Sequence, residues 1–129
     1  MNAPSDRKYT RTHEWVSLDG DIATIGVTDF AQSELGDITY LELPNVGTTV
    51  GADEAFGVIE SVKAANDIFS PIEGEVVERN EDAVSAPETI NQSPYDRAWL
   101  IRVRTNDSGH FDALMDASAY EAFAQTTAH

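Results

Sequence analysis

Turn-forming residues cut this sequence into short extended pieces. Trp15-Val16-Ser17-Leu18 and Ile22-Ala23-Thr24-Ile25-Gly26-Val27 alternate apolar with small or polar residues on either side of Asp19-Gly20, a dipeptide suited to a tight hairpin. Ile38-Thr39-Tyr40-Leu41-Glu42-Leu43 reads as a strand closed by Pro44. Ala55–Glu60 and Asn66–Ser70 read as two strands around Ser61-Val62-Lys63-Ala64-Ala65. Pro71 and Gly74 precede another strand, Glu75–Arg79, and Trp99–Arg104 returns as the last. Strands this short, each bounded by Gly, Pro or Asp, predict a mainly β chain folded as a sandwich or flattened barrel.

Helical signals are few. Thr28 or Asp29 can cap a short helix through Phe30, Ala31 and Leu35, which Gly36 ends. Residues 45–53 read as loop with one short extended piece. Asn80–Arg97 is polar, carries Pro87 and Pro94, and reads as loop with a single helical turn. Beyond it Phe111, Leu114 and Met115, then Tyr120, Phe123 and Ala124, fall at helical spacing. Two short C-terminal helices follow, the second opened by a Ser118/Glu121 capping box. Trp15 and Trp99 are the expected core anchors. At 129 residues the expectation is one domain spanning 1–129, its core about 8–125.

Charge narrows the function. Acidic residues number 23 against 8 basic, a net charge of −15, so nucleic acid is a poor partner: phosphate binding needs clustered Lys and Arg. Such acidity serves solubility, or steers the chain toward partners with basic docking surfaces. There is no cysteine, hence no disulfide framework and no thiolate of its own. No apolar run approaches membrane-spanning length and residues 1–8 lack a signal-peptide core. The expectation is therefore a cytoplasmic protein with no membrane partner. His13 reads as structural, and His110 and His129 are too far apart in sequence to suggest a metal site. The glycines form no nucleotide-binding pattern, and no serine has a nucleophile-elbow frame.

Lysine occurs only at Lys8 and Lys63, and Lys63 stands at a predicted hairpin tip. On spacing alone an ordinary solvated turn lysine describes it well. Its neighbours suggest more: Val62, Ala64 and Ala65 are small enough to let an enzyme reach the amine, and the flanking strands hold the tip in space. The long stem of lysine would extend the reach of a group attached to it.

Gly57-Val58-Ile59-Glu60-Ser61-Val62-Lys63-Ala64, followed by Ser70-Pro71-Ile72-Glu73-Gly74-Glu75-Val76-Val77, resembles the lipoylation region of the glycine cleavage system H proteins. Further blocks are similar to that family and in order: Thr12-His13-Glu14-Trp15-Val16, Ala23–Asp29, Leu35–Ile38, Glu42-Leu43-Pro44, Ile90-Asn91, Ser93-Pro94-Tyr95 and Trp99-Leu100-Ile101. The likeness runs over roughly residues 8 to 125. It implies a barrel-sandwich hybrid with short C-terminal helices and a non-catalytic carrier with lipoate joined to Lys63. Glu60, Ser61, Val62 and Ala64 would be the recognition residues around that lysine. It further implies that the arm takes an aminomethyl group from glycine decarboxylase (P protein) to aminomethyltransferase (T protein), is reoxidised by dihydrolipoamide dehydrogenase (L protein), and is installed by a lipoate-attaching enzyme. Thr12, Glu14 and Asp67 are the implied groove residues, a carboxylate being a natural partner for a cationic amine.

Other readings of Lys63 fit less well. Biotinyl domains usually place their lysine between methionines, whereas here Val62 and Ala64 flank it. Lipoyl domains of the 2-oxo-acid dehydrogenase complexes usually show Asp before the lysine. A Schiff-base enzyme wants a buried lysine with a depressed pKa, which a turn tip in so acidic a chain does not offer. An acidic interaction module without a cofactor, and a donor of lipoyl groups to other proteins, both remain open on the sequence.

Overall fold

The computed structural model describes residues 3–127. Strands β1 (Lys8–Tyr9), β2 (Glu14–Asp19), β3 (Ile22–Val27), β9 (Ile101–Arg104), β8 (Gly74–Arg79) and β5 (Thr49–Val50) form an antiparallel six-stranded sheet in that spatial order. A second antiparallel sheet orders β4 (Ile38–Glu42), β6 (Ala55–Ser61) and β7 (Ala65–Phe69). Their inner faces share one core. Val16, Ile25, Val76 and Ile101 of the larger sheet meet Leu41, Ile59 and Ile68 of the smaller, all essentially without solvent exposure. Alternation puts most of these side chains on the inner face, and register shifts between Ile38 and Tyr40 of β4 and between Ala55 and Gly57 of β6 locally reset it. This is the barrel-sandwich architecture expected.

The hairpin β2–β3 turns at Gly20-Asp21, one residue later than the expected Asp19-Gly20: Asp19 ends β2 opposite Ile22, and Gly20 takes the positive φ of 64 at the first turn position. Gly26 has a different duty: a Cβ there would come within 2.6 Å of the Trp15 indole. Trp15 lies across its cross-strand partner Gly26 and donates its indole N–H to the Pro94 carbonyl at 3.0 Å. Around it a second cluster forms from Tyr9, Tyr95, Ala117, Tyr120 and Ala124, with the Arg7 guanidinium 4.6 Å from the Trp15 ring.

Helix α1 (Asp29–Leu35) is capped by Thr28, whose hydroxyl accepts from Ala31 N–H, and ends at Gly36 with φ 78. Several expectations are corrected. Asn80–Arg97 contains two helices, α2 (Glu81–Ser85) and α3 (Thr89–Gln92), not one turn. Asn80 both caps α2 and donates to the carbonyls of Arg97 and Trp99, so a side-chain bond to a distant segment stabilises a helix that local propensity leaves weak. After α4 (Ser108–Asp112), helix α5 (Ala117–Thr127) is opened by Asp116, which accepts from Ala119 N–H at 2.8 Å, in place of the Ser118/Glu121 box. Trp99 is only half-buried, with the Arg102 guanidinium 4.0 Å over its ring. Lys8 belongs to β1, which pairs with β2 and bridges to Met115. His129 lies outside the described residues. No helix among the described residues is long and apolar enough to cross a membrane.

Candidate functional site

The turn between β6 and β7 is built around Ser61. Its N–H donates to the Ala64 carbonyl at 2.8 Å, closing the loop. Its hydroxyl oxygen accepts from the backbone N–H groups of Lys63 and Ala64 at 3.1 and 3.3 Å. The Val62 N–H donates to the Asp37 carbonyl at 3.1 Å, tying the turn to the start of β4. A short hydroxyl side chain satisfying two turn amides is a local device that needs no distant partner. It presents Val62, Lys63 and Ala64 to solvent.

Lys63 does not point into free solvent. Its Nζ donates to the carbonyl of Glu34 at 3.2 Å, and its Cε lies 3.7 Å from where a Cβ on Gly36 would stand. The last turn of α1 has no basic residue of its own. Lys63 supplies, from another element, the cation that the exposed carbonyls of a helix C-terminus favour.

Glu34 also borders a groove of about 410 Å³. One wall is α1, through Ala31, Glu34 and Leu35. The other is β7, through Asn66 to Phe69, and the floor and far end are Ile59, Val27 and Thr12 to Glu14. The groove is thus mostly apolar, with Arg11 beside the Glu14 carboxylate at its far end and Lys63 bonded to Glu34 at its rim.

That carboxylate, Glu14, is 2% exposed. Thr10 donates to its Oε1 at 2.8 Å, Thr12 donates to the same oxygen, and the Phe69 N–H donates to Oε2 at 3.2 Å. Burial raises its pKa from 4.5 to about 7, the donors from Thr12, Thr10 and Phe69 holding it from going higher. Near neutrality the group is poised between acid and carboxylate. A cation entering the groove would favour the ionised form.

His13 precedes it in the left-handed region at φ 71, a conformation uncommon outside glycine. The ring is held between Phe30 and Phe123, centroids 4.6 and 5.9 Å away, and its Nδ1 lies 2.8 Å from the Tyr120 hydroxyl. That hydroxyl is also 2.7 Å from Thr28 Oγ1. Helix α5 thereby reaches the turn that presents Glu14. Burial lowers the His13 pKa, with Glu34 opposing, so the ring is neutral at pH 7.

Thr12 and Glu14 stand together at one end of the groove, while Asp67 sits exposed on the edge strand at its rim, bordering also a shallow hollow with Val58 and Ala65. Glu60, Ser61, Val62 and Ala64 surround Lys63 at the tip. Sequence reasoning missed Thr10, Ala31, Glu34, Leu35 and Asn66. Thr10, Thr12 and Glu14 do share a two-residue spacing, the one local signal that pointed to a common face; the α1 wall left none. Among the described residues no group of three or more His, Asp or Glu side chains could hold a metal ion. The donor set suits a different guest: apolar walls for an alkyl chain, an acid at the end for a cationic amine, and a reachable primary amine at the rim.

Residues 7–127 match the family model described as Glycine cleavage H-protein. The chain is 49% identical over 125 residues to the glycine cleavage system H protein of Anaeromyxobacter sp. (strain K), covering 97% of this chain and 98% of that one. It is 52% identical over 122 residues to that of Geobacillus kaustophilus (strain HTA426), covering 95% and 96%. It is also similar to the crystal structure of a glycine cleavage system H protein from Mycobacterium marinum, with a TM-score of 0.84 and 37% identity over 96% of this chain and 98% of that one.

Proposed function

This chain belongs to the glycine cleavage H-protein family, non-catalytic lipoyl carriers of the glycine cleavage system, and from that premise we propose that Lys63 is its lipoyl attachment point. The single observation behind this is the position of Glu34, which accepts from Lys63 Nζ and at the same time walls the groove that ends on Glu14. An arm rooted on Lys63 would therefore start at the rim of a groove fitted to receive it. Residues 8–125 are read as one carrier unit.

The lipoyl group, when bound, supplies the sulfur chemistry that takes up and gives back an aminomethyl unit; the chain supplies position and shelter. Ala31, Leu35, Ile59 and Ile68 exclude water along the groove. Glu14, ionising as a cationic amine arrives, holds it through a charge-assisted hydrogen bond, with Thr12 and Thr10 keeping the carboxylate oriented. Asp67, at the rim, adds a second negative charge on the edge strand.

A member of this family works with the other components of its system. In the finer reading these are glycine decarboxylase (P protein), aminomethyltransferase (T protein) and dihydrolipoamide dehydrogenase (L protein), together with a lipoate-attaching enzyme that recognises Glu60, Ser61, Val62 and Ala64. Incubation with lipoate, ATP and a lipoate–protein ligase, followed by intact-mass measurement, tests the attachment. One lipoyl increment on the wild type and none on Lys63→Ala is the expected result. No increment on folded wild type would overturn the reading.

A further inference from the structure

The charges of this molecule are segregated. Of its cations, Arg7, Lys8 and Arg11 precede β2, Arg79, Arg102 and Arg104 lie on β8 and β9, and Arg97 lies just before β9. All of them belong to the six-stranded sheet or its connections. On α1 and the three strands of the smaller sheet there is no Arg or Lys at all; the cations beside them are Lys63 in the β6–β7 turn, Arg11 in the groove between α1 and β7, and Arg79, which donates to the Leu43 and Pro44 carbonyls past the end of β4. The same side carries Asp29, Glu34, Asp37, Glu42, Glu60 and Asp67.

The outer face of the smaller sheet also has an apolar element. Cross-strand pairing sets Tyr40 beside Glu60 and Ala65, and Glu42 beside Val58 and Asp67. Their neighbours Leu41, Ile59 and Ile68 are buried in the core, so by alternation Tyr40, Glu60, Glu42, Val58 and Asp67 face outward. Tyr40 is 46% exposed and Val62, at the tip, 68%; with Val46 they are the exposed large hydrophobics of the described residues. A half-exposed tyrosine ringed by carboxylates on an uncovered sheet is a surface built for a partner with an apolar cleft and basic rim.

We propose that this outer face, centred on Tyr40 and Glu42 of β4, is the docking surface for the enzyme that acylates Lys63. The inference rests on the reading of Lys63 as the attachment point. Enzymes that act on the far end of the arm can work at arm's length, but the acylating enzyme must bring its activated acyl group to Nζ itself and free that amine from the Glu34 carbonyl. It must therefore cover the surface next to the tip. One side of the tip is closed by α1, against which the Lys63 stem leans. The other leads through the Val62–Asp37 backbone bond onto β4. The occupant is thus an acyl-transferring enzyme with a basic docking surface, drawn by the carboxylates Glu42, Glu60 and Asp67 of this outer face.

The test measures initial rates of lipoylation by a lipoate–protein ligase with lipoate and ATP, by intact mass, at low and high salt. Tyr40→Ser and Glu42→Lys are compared with Glu73→Lys, an equal charge change at an exposed site near Thr49 and Arg104 of the other sheet; thermal melts check folding. The expected result is a fall of about fivefold or more in kcat/KM for each face variant, the scale of losing one well-placed contact. Glu73→Lys should match wild type, and the wild-type rate should drop with salt more steeply than that of Glu42→Lys. Unchanged rates for both face variants, or an equal fall for Glu73→Lys, would overturn the proposal. So would normal lipoylation with impaired aminomethyl transfer, which would assign the face to the arm-handling enzymes. Absence of lipoylation in wild type would instead remove the attachment reading itself.

Discussion

The Nζ of Lys63 donates to the carbonyl oxygen of Glu34 at 3.2 Å, joining a hairpin tip to the last turn of a helix distant in sequence. The contact is exposed, so it contributes little to stability, but it sets where an arm on this lysine begins. Acylation turns a three-donor ammonium into an amide with one N–H. The bond to Glu34 then loses its charge, which leaves the arm free to swing.

Lys63→Arg separates charge from chemistry. The guanidinium keeps a donor within reach of the Glu34 carbonyl but offers no primary amine to acylate. Intact-mass measurement should find no lipoyl increment, and urea denaturation should find stability within about 0.5 kcal/mol of wild type, as for surface changes generally.

Glu14→Gln tests the buried acid. Because burial raises its pKa from 4.5 to about 7, the folded state binds this proton more tightly than the unfolded state does. Its contribution is therefore fully present below about pH 4.5 and is lost as pH rises toward 7, by up to about 3 kcal/mol. The glutamine can accept from Phe69 N–H and donate to the Thr10 and Thr12 hydroxyls. Denaturation between pH 4.5 and 8 should show wild-type stability falling relative to Glu14→Gln; parallel curves would show that Glu14 does not titrate there.

Asn91→Ala should loosen the seat of Lys63. The Asn91 carboxamide accepts from Ile38 N–H at 2.9 Å and donates to the Gly36 carbonyl at 2.8 Å and to Gln32 Oε1 at 3.0 Å. Its loss strands groups at the junction of α1, α3 and β4. A decrease of about 1–3 kcal/mol is expected from chemical denaturation, the scale of leaving partly buried donors and acceptors unpaired.

Gly26→Ala should be costly although the backbone there is ordinary. The added methyl would overlap the Trp15 ring, which has no room to retreat while bonded to Pro94. A loss of about 1–3 kcal/mol is expected, with a shift in tryptophan emission as Trp15 is displaced; a melting temperature equal to wild type would show that the ring gives way freely.

Much of the site was legible because its causes are local. Gly20 marks the β2–β3 hairpin to within one residue, Thr28 and Gly36 bound α1, and Ser61 supplies both hydroxyl bonds of the turn that lifts Lys63. In β4 residue order misleads: alternation from Ile38 would bury Tyr40, but a register shift between Ile38 and Tyr40 turns Ile38 and Leu41 inward and leaves Tyr40 exposed. Where the structure departs, the cause is a partner far along the chain. Asn80 steadies α2 by bonding to Arg97 and Trp99, and Asp116 displaces the Ser118/Glu121 pair as the cap of α5.

The amino-acid sequence by itself determined the β architecture, the single internal lysine at a tip and the acidic balance, since periodicity, turn chemistry and charge need no neighbours to be read. Only the tertiary structure decided that Glu14 is buried and titrates near neutrality, that Glu34 links Lys63 to the groove, and that Glu42, Glu60 and Asp67 share the outer face of the smaller sheet. Burial and electrostatic environment are properties of what surrounds a residue, and that is set when the two sheets and α1 close on one another.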